Sequence, residues 1–315
     1  MLLHRSLTAL LLPFLLVLPG TPHAGNPGKP FRESHFATID SVTIHYRLWP
    51  ARGLHHRGKV LLIHGFCGST FCWRYNWDTL AASGYTVVAV DLPGFGYSER
   101  SDSLNQSQSN RGRQLWKLLG NIDGADTTPW NIVGHSMGGG AAEAAALMNL
   151  HRTKSLTILD GMIFITNDDL NRPFVGVVNH PVYKKMLVAY YKHYYLTYNN
   201  FRHELKSTYG FLPDTATTNG YWKTLQIEGT AETVVNLLAN SREIIKLDAH
   251  DLKETPVLII WGKNDKTIGL STGKKLKGEV PSAELRVIPG ARHMAMETHP
   301  FQFNAILLEF LNRHN

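Results

Sequence analysis

Five apolar runs, each closed by a turn and separated by helix-like stretches, constrain the fold of this chain more than any other feature. They are "KVLLIHG" (59–65), "YTVVAVDLPG" (85–94), "WNIVGHS" (130–136), "SLTILDG" (155–161) and "PVLIIWG" (256–262). Continuous apolar residues, in place of alternating ones, mark strands buried on both faces, as in a parallel sheet. "CWRYNWDTLAASG" (72–84), Ser107 to Gly120 and Met137 to Leu147 read as the intervening helices. The first two runs follow a hairpin, "HFATID" and "VTIHYRLWP", and the last leads into helix, strand and helix: "STGKKLKGEV", "AELRVIPG" and "PFQFNAILLEFLNR". Strands alternating with helices predict an α/β fold, a mostly parallel sheet with helices on both faces.

Between Gly161 and Glu254 that rhythm stops. The segment is rich in aromatics, and Leu187, Tyr191, Tyr194, Tyr198 and Phe201 recur at helical spacing. It reads as a helical cap insertion over residues 163–250, dividing the core into 25–162 and 251–315. The aromatic stripe is expected to pack between insertion helices, with a ligand-binding wall as the alternative.

Residues 1–24 read as a secretory signal peptide: a positive start at Met1 to Arg5, a short apolar run from Leu7 to Leu18, and small residues up to Ala24. This predicts a secreted or periplasmic protein, with an uncleaved membrane anchor as the alternative. The formal charge of +7 is spread along the chain without a dense basic run, which speaks against nucleic acid as a partner. Lys184, Lys185, Lys192, Arg202 and Lys206 allow weak contact with an anionic membrane surface, or simply form a solvated helix face. Oligomeric state is not legible. Cys67 and Cys72 either pair in an oxidising compartment or remain two buried thiols.

One stretch points to chemistry. In Gly134-His135-Ser136-Met137-Gly138, glycines crowd a serine between a strand and an alanine-rich helix. That is G-x-S-x-G, a turn that lifts the hydroxyl clear of the sheet and aims a helix N-terminus at it. The competing reading is an ordinary βα turn with a capping serine.

Further motifs stand after successive strands: "HGF" at His64 to Phe66, "DLPGFGYS" at Asp91 to Ser98, "GHSMGG", "WGKND" and "GARHMAMETHP". Together they resemble the α/β-hydrolase fold superfamily, and specifically its cap-bearing, esterase-like serine hydrolase branch, over nearly the whole chain after the leader. The resemblance implies a triad in the order serine, acid, histidine, filled here by Ser136, Asp265 and His293. Asp160, which ends "TILD", competes for the acid, because some relatives carry it after that earlier strand. The family pattern puts the oxyanion-binding amides at Phe66 and Met137, with His64 and Gly65 shaping the loop. His135 and Asp91 are assigned structural support, and His299, ahead of Pro300, a helix-cap place.

A serine attacks acyl carbons, so esters, thioesters, amides and activated C–C bonds remain as substrates. No cofactor is expected, since no metal-spaced cluster or phosphate loop is visible, and the expected partner is a small-molecule acyl substrate. The leading expectation is a carboxylic ester hydrolase. The alternatives are a C–C bond hydrolase, a peptidase using Asp168, Asp169 or Glu204 to hold an amino terminus, and a ligand-binding protein without turnover.

Overall fold

The computed structural model describes residues 29–53, 55–101, 103–161, 180–240 and 248–315. The proposed leader lies outside these residues, as do Asp168 and Asp169 and two parts of the insertion. Among the described residues eight strands form one sheet in the order β1-β2-β4-β3-β5-β6-β7-β8. The opening hairpin, β1 (Ser34–Ile39) and β2 (Val42–Trp49), lies at one edge, and β2 runs antiparallel to β4 (Tyr85–Val90). From β4 through β3 (Gly58–Ile63), β5 (Trp130–His135), β6 (Thr153–Leu159) and β7 (Val257–Gly262) to β8 (Glu284–Ile288), every pairing is parallel. All residues of β5 and β7 are buried, which their unbroken apolar runs require.

Helices cover both faces. They are α1 (Trp77–Ala82), α2 (Gln108–Asp123), α3 (Met137–Met148), α8 (Leu270–Glu279), the short α9 (Ala295–Thr298) and α10 (Pro300–Arg313), with four insertion helices among the described residues between α3 and α8. Ser107 caps α2 by accepting the amide of Asn110 at 3.2 Å, and His299 holds the N-cap of α10, as its place before Pro300 suggested. The single helix expected over 72–84 is instead a 3₁₀ turn, Thr70–Trp73, followed by α1. Tertiary bonds hold the break: the buried Asn76 side chain donates to Met296 O at 3.1 Å and to Asn304 Oδ1 at 2.9 Å.

The insertion helices are α4 (Pro181–Tyr190), α5 (Tyr198–Tyr209), α6 (Thr215–Leu225) and α7 (Thr230–Asn240). A π turn, Tyr191–Tyr195, continues α4. It adds a residue to the helical repeat and turns one member of the aromatic stripe, Tyr194, outward, while Leu187 and Tyr191 pack against Val235 and Tyr198 against Trp222. Phe201 is buried whereas Tyr194 is 57% exposed. The insertion is anchored to the core through Glu297 of α9, a buried carboxylate that accepts the hydroxyls of Tyr209 and Tyr221 and pairs with Arg74.

Candidate active site

The turn after β5 places Ser136 at φ 52, ψ −124, a conformation that side-chain-bearing residues rarely adopt. Two glycines make it possible. A Cβ on Gly134 would stand 2.2 Å from Gly138 O, and one on Gly138 would stand 2.3 Å from His64 O. The amide of Ser136 donates to Leu159 O at 3.0 Å, tying the turn to β6. Strand, turn and helix therefore push the hydroxyl outward at the carboxyl end of the sheet, where open α/β sheets put their ligands.

His293 arrives from the loop after β8 and Asp265 from the loop after β7. His293 Nε2 lies 2.9 Å from Ser136 Oγ, and Nδ1 lies 2.8 Å from Asp265 Oδ2. A carboxylate only accepts, so Nδ1 carries the proton and Nε2 is left to accept from the serine. The other oxygen of Asp265 accepts the amides of Thr267 at 2.7 Å and Ile268 at 3.2 Å. Ser136, Asp265 and His293 are all buried. The three residues expected from sequence thus meet in one relay, and the competitor Asp160 stays outside it.

Neighbouring histidines support the relay. His135 Nε2 donates to the backbone carbonyl of His293 at 2.8 Å, and the two rings lie 4.9 Å apart. Burial, followed by the adjacent His293, holds His135 well below the ordinary histidine range, so it stays neutral. His64 accepts the amide of Leu92 at 2.9 Å through Nε2 and donates from Nδ1 to Gly65 O at 2.7 Å, fixing the loop that follows β3. Asp91 is structural as expected, bound to His45 and accepting the amides of Thr70 and Tyr97.

A cavity of about 180 Å³ opens above Ser136 and His293. Phe66, Cys67 and Cys72 line it from the loop after β3, and Phe201, Leu205 and Tyr221 from the insertion. Of the expected oxyanion residues, Phe66 is on this wall; Met137 is the first residue of α3, where an amide has no acceptor within its own helix. Both cysteines are free, so the disulfide alternative gives way to two buried thiols. Burial pushes both thiols far above their usual range, and they serve the wall as small apolar groups. Sequence reasoning missed their place there. Glu204 reaches the cavity as an exposed residue, and no lysine or arginine lines it among the described residues.

The motif order and this geometry agree with the comparisons to known proteins. The model of the alpha/beta hydrolase fold family matches residues 59–300. The chain belongs to the alpha/beta hydrolase family. This hydrolase is 29% identical to a 2-hydroxy-6-oxononadienedioate/2-hydroxy-6-oxononatrienedioate hydrolase of Burkholderia vietnamiensis, over 81% of its own length and 87% of the relative's. It is 28% identical to a 2-hydroxy-6-oxo-6-(2'-aminophenyl)hexa-2,4-dienoic acid hydrolase of Metapseudomonas resinovorans, over 81% and 84%. The hydrolase also shares its fold with CarC, a serine hydrolase involved in carbazole degradation, with a TM-score of 0.70 at 22% identity over 89% of this chain and 98% of that one.

Proposed function

We propose that this hydrolase cleaves a carbonyl substrate through an acyl-enzyme on Ser136. The observation that carries the reading is the unbroken relay from Asp265 through His293 to the serine hydroxyl, at 2.8 and 2.9 Å. His293 takes the hydroxyl proton as Oγ attacks the carbonyl carbon, then delivers it to the leaving atom. Asp265 keeps the imidazole oriented and stabilises its charged form. The developing oxyanion is assigned to the amides of Met137 and Phe66, worth about 3 kcal/mol each by analogy with such donors elsewhere. Water then repeats the attack on the acyl-enzyme.

For the scissile bond, the relatives named for 2-hydroxy-6-oxo dienoic acids favour a C–C bond beside a ketone over the ester expected from sequence. In such a reaction the leaving carbon must accept an electron pair, which a conjugated carbonyl on its far side allows, and the pair takes up a proton as the bond breaks. Carboxylic esters are the second reading, favoured by the wall itself. A dioate would want a cation, whereas the described wall offers no lysine or arginine and a carboxylate, Glu204, at its edge.

Purified protein and Ser136→Ala should be assayed on a 2-hydroxy-6-oxo-6-aryl dienoic acid and on p-nitrophenyl butyrate. Ser136-dependent fission of the first supports the C–C reading. Turnover of the ester alone replaces it with the second. No turnover of either, with no labelling of Ser136 by a fluorophosphonate, overturns both in favour of a binding protein. For location, the basic start and short apolar run before residue 24 support export. N-terminal sequencing of protein from the producing cells tests that: a start near residue 25 supports it, an intact Met1 overturns cleavage.

A further inference from the structure

Asp160 takes no part in the relay, yet it stands beside the relay's own acid at the end of β7. It is the first residue beyond β6, and β6 pairs with β7. The Asp160 amide donates to Ile260 O at 3.0 Å, its Oδ1 accepts the amide of Gly262 at 2.7 Å, and the Asp265 amide donates to Gly262 O at 3.1 Å. Both acids are thus drawn to the peptide units at the end of β7. Asp265 is the ionisable side chain that bears on Asp160. Asp160 is 0% exposed, and its Oδ2 is buried with no hydrogen-bond donor reaching it.

Two ionised carboxylates in contact inside a protein repel each other, so the pair keeps one proton. The hydrogen bonds decide which acid holds it. Asp265 accepts three, from Thr267, Ile268 and His293. Asp160 accepts one.

We propose that Asp160 is a positioning residue, a neutral acid whose Oδ2 donates a hydrogen bond to the Asp265 carboxylate and holds it in the orientation His293 requires. The proposal rests on the Ser136 relay described above. Burial, with the Asp265 charge second, pushes the Asp160 carboxyl well above the ordinary range, in keeping with that proton. Neutrality matters for the base. A second negative charge beside Asp265 would repel that carboxylate from the place where it accepts from His293 Nδ1 and orients the imidazole toward the serine.

The test uses the full-length enzyme and two variants. Asp160→Asn cannot ionise but can still donate, whereas Asp160→Leu keeps similar bulk without a donor. Infrared spectra of protein carrying carbon-13 aspartate should contain a buried carboxylic acid band at neutral pH that Asp160→Asn removes. Asp160→Asn should keep kcat within about threefold and leave the acid limb of the pH profile in place. Asp160→Leu should lose about tenfold in kcat with KM little changed, the size of one lost hydrogen bond. Absence of the band, an acid limb that moves to lower pH in Asp160→Asn, or equal activity of the two variants would each overturn the proposal. If Asp160→Leu does not fold, the band and the acid limb of Asp160→Asn decide. The band needs no substrate, so its absence counts against the proton's location and leaves the Ser136 reaction to its own labelling test.

Discussion

His293 Nε2 stands 2.9 Å from Ser136 Oγ although 157 residues separate the two in sequence. The parallel sheet closes that gap, because loops after β5 and β8 leave the same edge. Ser136→Ala removes the attacking atom and is expected to lower kcat by about 10⁶-fold, as in other serine triads. Intact-mass analysis after fluorophosphonate treatment should show one adduct on the native protein and none on the variant.

Asp265 fixes which nitrogen of His293 carries the proton. In Asp265→Asn the amide can donate to Nδ1, which favours the wrong tautomer, and kcat is expected to fall about 10⁴-fold. Steady-state assay beside Asp160→Asn checks the assignment. A nearly active Asp265→Asn together with a dead Asp160→Asn would transfer the triad's acid to β6.

The buried neutral histidines make the fold acid-sensitive. Burial holds His64 and His135 below the ordinary histidine value of 6.5. Lowered values in the folded state mean that the unfolded chain binds these protons first. Their stabilising contribution is therefore complete above pH 6.5 and drains away as pH falls below it, by up to about 1.4 kcal/mol per pH unit for each proton. Unfolding by urea across this window should show the slope, and His135→Gln, which keeps a donor toward His293 O without a titrating ring, should reduce it.

Glu297 ties the insertion to the core. In Tyr221→Phe this buried carboxylate loses one hydroxyl partner, with an expected cost of about 1–3 kcal/mol. Glu297→Ala strands Arg74 and should cost more, about 3–5 kcal/mol. Urea unfolding measures both. Because Tyr221 also lines the cavity, its phenylalanine variant should raise KM more than it lowers kcat.

The sheet and the nucleophile turn were legible because both are written locally, whereas Asp265 and His293 were expected from the resemblance to the family. Buried strands carry continuous apolar runs, and the nucleophile turn needs glycines at fixed offsets from Ser136. The break ahead of α1 was not legible, since Asn76 is held by Met296 and Asn304, more than 200 residues away. Within the aromatic stripe only Tyr194 departs from the expected packing, because the π turn at Tyr191–Tyr195 alters the helical repeat on which the spacing argument depends. Nor could sequence reveal that Cys67 and Cys72 would share one wall with Phe201 and Tyr221, which is a property of the docked insertion.

The backbone of Ser136, at φ 52 and ψ −124, is one that glycine adopts freely and serine does not. Such a conformation costs on the order of 1–3 kcal/mol, which the surrounding strands and helix must supply. Ser136→Gly should consequently melt at a higher temperature than the native protein while having no nucleophile. At this one position heritable variation faces opposed pressures, since the fold alone would drift toward glycine and only the need for turnover retains the hydroxyl. A lineage that ceased to use the reaction would be expected to lose the serine before it lost the glycines beside it.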